Sequence, residues 1–132
     1  MALDIHIKTI PHWKQIYNTV GNYFGKKKKH VLVSDLKNET YELAVALHEL
    51  IEQHLTELDG IPLKAIDDFD IQFEKEYKEG LHKAEDEPGD DPRAPYYAAH
   101  QFATAIERLF VQQSGFTWRD YEDFVTKVWR QK

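Results

Sequence analysis

The sequence predicts an α+β fold that is mainly helical, with a short N-terminal β-strand pair packed on about four helices. Residues 3–10 alternate apolar and polar side chains, and residues 30–36 form a second short apolar run, so both segments are typical of strands. The rest of the chain places apolar residues at helical spacing between glycine and proline stop signals. Because two short strands cannot form a core alone, we expect them to lie against the helices.

The length and composition fit one compact domain over residues 1–132. Hydrophobic residues make up 42% of the chain and include 7 Phe, 7 Tyr and 3 Trp, which excludes a disordered composition. The formal net charge is −6, and the one basic run, residues 26–29, lies between turn signals. We predict that this run is a solvated hairpin loop, and the acidic balance argues against a nucleic-acid partner.

The absence of cysteine excludes a disulfide scaffold, a thiolate metal site and a cysteine nucleophile. The first ten residues are too few and too charged for a signal peptide. No apolar run approaches the roughly 20 residues that a membrane-spanning helix needs. We therefore expect a cytoplasmic protein without a membrane association.

Four helices are predicted, over residues 38–59, 62–79, 96–113 and from 117 onward. The first three stop at Gly60, Gly80 and Gly115, since glycine is common just beyond a helix end. The fourth begins with a capping-box pattern at Thr117. Residues 12–29 carry no pattern that assigns them to an element.

The acidic, proline-rich segment 82–95 is predicted to be a loop. Asp91 and the proline after it have the spacing to cap the third helix, which is the interpretation that we prefer. Alternatively, Asp90 or Asp91 would reach a metal ion and Arg93 would bind an anionic substrate. Residues 85–87 are expected to be solvated.

The first helix places a histidine and a carboxylate among its apolar residues. In the string HELIE, His48 and Glu52 are one turn apart, and at 100° per residue they lie about 40° from each other inside the apolar arc. Glu49 lies on the shoulder of that arc. His54 lies at its far edge and is predicted to be structural, and Gln53 is predicted to face solvent.

The other helices repeat this anomaly, because Asp70 lies within the apolar stripe of the second helix and His100 and Glu107 lie at the edge of the third. An ionised carboxylate in a dry core costs several kcal/mol unless it is paired or becomes neutral. A shared divalent cation is the simplest partner for such groups. The predicted ligands are His48, Glu52, His100, Asp70 and Glu107. A hydrogen-bonded polar network without a metal is the alternative.

The string His48-Glu49-x-x-Glu52 resembles the H-E-x-x-H signature of the zincin metallopeptidases, with glutamate in the last position. This resemblance implies a metal-dependent hydrolase in which His48 and Glu52 bind zinc and Glu49 is the general base. His100 would be a third ligand. Because a carboxylate is a harder ligand than histidine, Mn, Fe or Mg are the alternatives to zinc. Asp70 and Glu107 would extend the site to two metals.

A second resemblance joins Glu49-x-x-Glu52 to Asp67-x-x-Asp70. This pattern is similar to the E-x-x-E and E-x-x-D pairs of the all-α nucleoside triphosphate pyrophosphatases, with Asp67 in place of a glutamate. It implies Mg²⁺ bound between paired helices and a dimeric enzyme.

The ordered strings YELAVALHELIE, DDFDIQFE, EPGDDPRAPY and HQFATAIERL resemble a family of small uncharacterised proteins of bacteriophages and prophages. The resemblance covers roughly residues 31–122 and implies a bacterial host cell. It leaves open a non-enzymatic interaction protein, in which a polar or metal cluster holds the helices together. The substrate or protein partner stays unassigned, and an oligomer is compatible with the sequence.

Overall fold

The computed structural model describes residues 2–130. Over these residues it contains one three-stranded sheet followed by four α-helices, which confirms the mainly helical α+β prediction. The strands are β1 (Ile5–Ile10), β2 (Gly21–Phe24) and β3 (Lys29–Ser34). The helices are α1 (Glu39–Leu58), α2 (Leu63–Lys78), α3 (Tyr97–Gln113) and α4 (Trp118–Trp129). None of the helices in this described part has the length and apolar character to cross a membrane.

The central strand β3 pairs in parallel with β1 and antiparallel with β2. β2 was not predicted, because its four residues include Gly21 and Asn22 and show no apolar alternation. The basic run lies in the β2–β3 hairpin as expected, although Lys29 already belongs to β3. The hairpin turns at Gly25, whose φ is +90° and where an added Cβ would lie 2.1 Å from the carbonyl oxygen of Lys28.

Helix α1 is the centre of the fold, since it packs against β2 and β3 and also against α3. Val31 and Val33 of β3 are completely buried in this core. Both α1 and α3 bury alanines, Ala44 and Ala103, and such small residues let two helices approach closely. β1 is an edge strand, and its Ile7 side chain is 48% exposed. The strand was predicted correctly, but the prediction that one of its faces is buried is wrong.

The helix caps follow the sequence at α1 and α4 but not at α3. The Asn38 side chain accepts from Tyr41 N at 3.0 Å, and the Thr117 hydroxyl accepts from Asp120 N at 3.2 Å. α3 begins only at Tyr97, so the prediction that Asp91 caps it is wrong. The Asp91 carboxylate instead accepts from the backbone N and Nε of Arg93, which also donates to Glu76 of α2 at 2.8 Å.

Two side chains of α1 differ in their solvent exposure from what the sequence predicts. Gln53 is only 2% exposed and donates to the carbonyl oxygens of Phe24 and Gly25 at 3.1 and 3.2 Å. The unpredicted hairpin covers this side of the helix, which explains why an amide is buried there. His54, which was predicted to lie at the far edge of the apolar arc, is exposed.

Candidate metal centre

Helices α1 and α3 bring together three of the five predicted ligands. Nε2 of His48 and Nδ1 of His100 each lie 3.0 Å from Oε2 of Glu52, and the two nitrogens are 3.2 Å apart. All three side chains are less than 10% exposed. We call His48, Glu52 and His100 the inner triad.

The spacing of these three atoms fits the ligands of one metal ion. Ligand bonds of about 2.0–2.1 Å at angles near 90–110° separate two ligand atoms by about 2.8–3.4 Å. Without an ion, both ring nitrogens lie within hydrogen-bonding distance of the same carboxylate oxygen. Two imidazoles and one carboxylate form the donor set of catalytic zinc sites and of non-haem iron sites. The inner triad can therefore hold a divalent cation.

Glu107 lies on the other side of the His48 ring. Nδ1 of His48 donates to Oε1 of Glu107 at 2.8 Å, and the Tyr121 hydroxyl donates to Oε2 of Glu107. A carboxylate in this place fixes the tautomer and orientation of a ligating histidine. The geometry thus gives Glu107 a role in orienting His48 and does not support its predicted role as a ligand. Sequence reasoning missed Tyr121, which the helical pattern marks only as a core residue.

The pKa values of the inner triad favour an ionised Glu52 carboxylate beside two protonated histidine rings. Burial alone would raise the pKa of Glu52, but hydrogen bonds from His100 and His48 lower it to about 2. Burial alone would lower the pKa of His48, but Glu107 raises it well above its usual range. Glu52 likewise raises the pKa of His100, to about 10, against the effect of burial. A metal ion that binds here must displace protons from the rings.

Asp70 lies apart from the inner triad. The Tyr17 hydroxyl donates to its Oδ2 at 3.0 Å, and the Tyr96 hydroxyl donates to Oδ1. Burial raises the pKa of Asp70 to about 7. Because both oxygens accept from tyrosines, the geometry does not support Asp70 as a ligand of the same ion. Tyr96 is itself buried.

A cavity of about 120 Å³ adjoins the inner triad. Its wall includes the triad together with Glu49, Asp67, Asp70 and Tyr17. Burial and the neighbouring Glu52 carboxylate raise the pKa of Glu49 to about 8. The Glu49 side chain packs across Gly21 of β2, where an added Cβ would lie 2.6 Å from Oε1. A carboxylate with such a pKa, beside a candidate metal site, suits proton transfer near neutral pH.

The turn before α3 packs on the face of the His100 ring. A Cβ added to Gly89 would lie 2.3 Å from both Cγ and Nδ1 of His100. Glu87, which was expected to be solvated, lies near this ring, with Oε1 3.5 Å from Nε2. The loop between α2 and α3 therefore forms one wall of the candidate site.

Comparison of the chain with family models, with curated proteins and with solved structures finds no match in any of the three. The resemblances to the zincins, to the pyrophosphatases and to the phage proteins stay predictions.

Proposed function

We propose that the protein is a metal-dependent hydrolase in which the inner triad holds one divalent cation and Glu49 acts as the general base. The observation that carries the proposal is the set of three donor atoms, 3.0–3.2 Å apart, on the wall of a cavity that Glu49 also lines. A bound cation lowers the pKa of water and polarises a carbonyl group. Glu49 would take the proton that such a water gives up.

Zinc is the first candidate ion, because two imidazoles and one carboxylate are a common catalytic zinc donor set. Mn, Fe and Mg are the alternatives that the carboxylate ligand permits. The hydrogen bond from Tyr23 to Oε1 of Glu52, at 3.0 Å, leaves Oε2 to face the two histidines. Tyr23 and Glu107 would together hold two of the three ligands in place.

The rival function is that of a non-enzymatic interaction protein with a structural ion. A structural site is closed by four protein ligands, whereas a catalytic site keeps an open position. The inner triad supplies three ligands and adjoins a cavity, which supports the catalytic function. We place this activity in the cytoplasm of a bacterial host cell, as the phage resemblance suggests.

The first experiment tests the open coordination position with Co²⁺ in place of zinc. We expect acetohydroxamate to change the visible absorption of the Co²⁺-loaded protein, because it binds a cation that keeps a free position. The same change is expected in Glu49→Gln, which keeps all three ligands. A Co²⁺ spectrum that acetohydroxamate leaves unaltered would show a closed, structural ion and would contradict the proposal.

The second experiment measures turnover of a panel of ester, amide and peptide substrates by the Zn²⁺-loaded protein. We expect Glu49→Gln to lower turnover by about 10²- to 10⁴-fold while metal content is unchanged. Glu79→Gln, at an exposed position beyond α2, is the matched control and should retain full turnover. Equal turnover in Glu49→Gln and the parent would show that Glu49 is not the base.

Nucleotide pyrophosphohydrolysis is a second candidate, because Glu49, Glu52, Asp67 and Asp70 all line the same cavity. This function predicts Mg²⁺-dependent release of pyrophosphate from nucleoside triphosphates, lost in Asp70→Asn and retained in His48→Ala. The hydrolase predicts the reverse pattern for these two variants.

A further inference from the structure

The far edge of the His100 ring faces a second pair of carboxylates. Nε2 of His100 lies 3.5 Å from Oε1 of Glu87 and 3.5 Å from Oδ1 of Asp90. His100 is only 6% exposed, and this nitrogen is buried without a hydrogen-bond partner among the described residues. A buried polar atom without a partner is unfavourable and needs a physical explanation. The orphaned nitrogen therefore points to a ligand on this side of the ring.

The two carboxylates belong to the turn Pro88–Asp90 and the residue before it. Gly89 lets the backbone lie directly on the His100 ring, since any Cβ there would meet ring atoms at 2.3 Å. Glu87 and Asp90 flank this glycine, and the Gln101 side chain donates to Oδ1 of Asp90 at 2.8 Å. Their side chains are 40% and 51% exposed, so the group is open to ions from solvent.

We propose that Glu87, Asp90 and Nε2 of His100 form a second divalent-cation site, and we call these three residues the outer triad. Their donor atoms lie within 4.8 Å of one another. A nitrogen–oxygen separation of 3.5 Å fits an ion with bonds of about 2.1–2.5 Å. Two carboxylate oxygens and one imidazole suit Mn²⁺ or Zn²⁺. Asp70 and Glu107, from which the sequence predicted a second metal position, are not members.

His100 joins the two triads, because Nδ1 belongs to the inner one and Nε2 to the outer one. With both sites occupied, the His100 ring would ligate through both nitrogens, and the two N–H protons that the protonated ring carries would pass to solvent. Metal binding at the outer triad does not depend on the proposed hydrolase activity, so it can be measured without a substrate.

The test counts the ions that metal-free protein retains after saturation with Mn²⁺ or Zn²⁺ and removal of the excess. We expect two ions per chain in the parent, one in the double variant Glu87→Gln/Asp90→Asn and one in Glu52→Gln. The matched control Glu79→Gln/Asp123→Asn removes two exposed carboxylates elsewhere and should retain two ions. Two ions in Glu87→Gln/Asp90→Asn would overturn the outer triad.

The remaining outcomes separate the two sites. One ion in the parent, lost in Glu52→Gln and kept in Glu87→Gln/Asp90→Asn, would overturn the outer triad and leave the proposed hydrolase standing. One ion with the reverse pattern would support the outer triad and contradict the inner one. One ion lost in both variants would show a single shared site and would overturn the outer triad as a second one, and no ion in the parent would contradict both triads.

Discussion

Nδ1 of His48 donates a hydrogen bond to Glu107 across 2.8 Å, while Nε2 of the same ring lies 3.0 Å from Glu52. This hydrogen bond joins α1 to α3. It occupies Nδ1 of His48 and leaves Nε2 to face the candidate metal position. The Tyr121 hydroxyl brings α4 into the same chain of contacts through the second oxygen of Glu107. Three helices thus determine the orientation of one side chain of the inner triad.

Glu107→Gln should lower the affinity for Zn²⁺ by about 10- to 100-fold, because the carboxylate that orients His48 is lost. Tyr121→Phe should have a smaller effect in the same direction. The dissociation constant can be measured by competition with a chromogenic chelator, with Glu79→Gln as the control. An affinity in Glu107→Gln equal to that of the parent would show that this contact does not serve metal binding.

Gly89→Ala should destabilise the fold by about 1–3 kcal/mol, because the added methyl group overlaps the His100 ring. It should also weaken metal binding, since the ring must move. Gly21→Ala is the matched comparison, because its methyl group would meet Glu49 and Val45 and no member of the inner triad. It should lower turnover while metal affinity is kept. Urea unfolding measures the change in stability, and metal titration measures the change in affinity. A metal affinity in Gly89→Ala equal to that of the parent would contradict the prediction.

The buried Asp70 should cause the free energy of unfolding to decrease as the pH rises. Burial raises its pKa from 3.8 to about 7, so the folded state holds this proton more tightly than the unfolded state. The resulting stabilisation is complete below about pH 4 and is lost as the pH approaches 7. Asp70→Asn carries no such proton, and its stability relative to the parent should increase between pH 5 and pH 8. Urea unfolding at the two pH values measures the difference, and a difference that is independent of pH would refute the prediction.

The inner triad could be predicted in part because helical periodicity is a local property. His48 and Glu52 are four residues apart, so any helix over this segment places them on one face. His100 belongs to the buried side of another helix, and its position follows once α1 and α3 pack together. The mainly helical fold could be predicted for the same reason, since each helix carries its own apolar stripe and stop signals.

The outer parts of the site could not be predicted, because they depend on contacts between distant segments. β2 has too few residues for a pattern, yet its Gly21 packs on Glu49 and its Tyr23 contacts Glu52. Tyr121 reaches Glu107 only after α4 has docked. Glu87 belongs to an acidic loop that the sequence marks as solvated, and its contact with His100 depends on the close approach that Gly89 permits.

The zinc content of His48→Ala tests the candidate metal centre most directly. It is measured by elemental analysis of protein prepared without a histidine tag. His54→Ala is the matched control, because it removes an exposed histidine from the same helix. We expect His48→Ala to lose one ion per chain relative to the parent and His54→Ala to lose none. Equal zinc in His48→Ala and the parent, or no zinc in a parent saturated with it, would contradict the metal centre and leave a buried hydrogen-bond network.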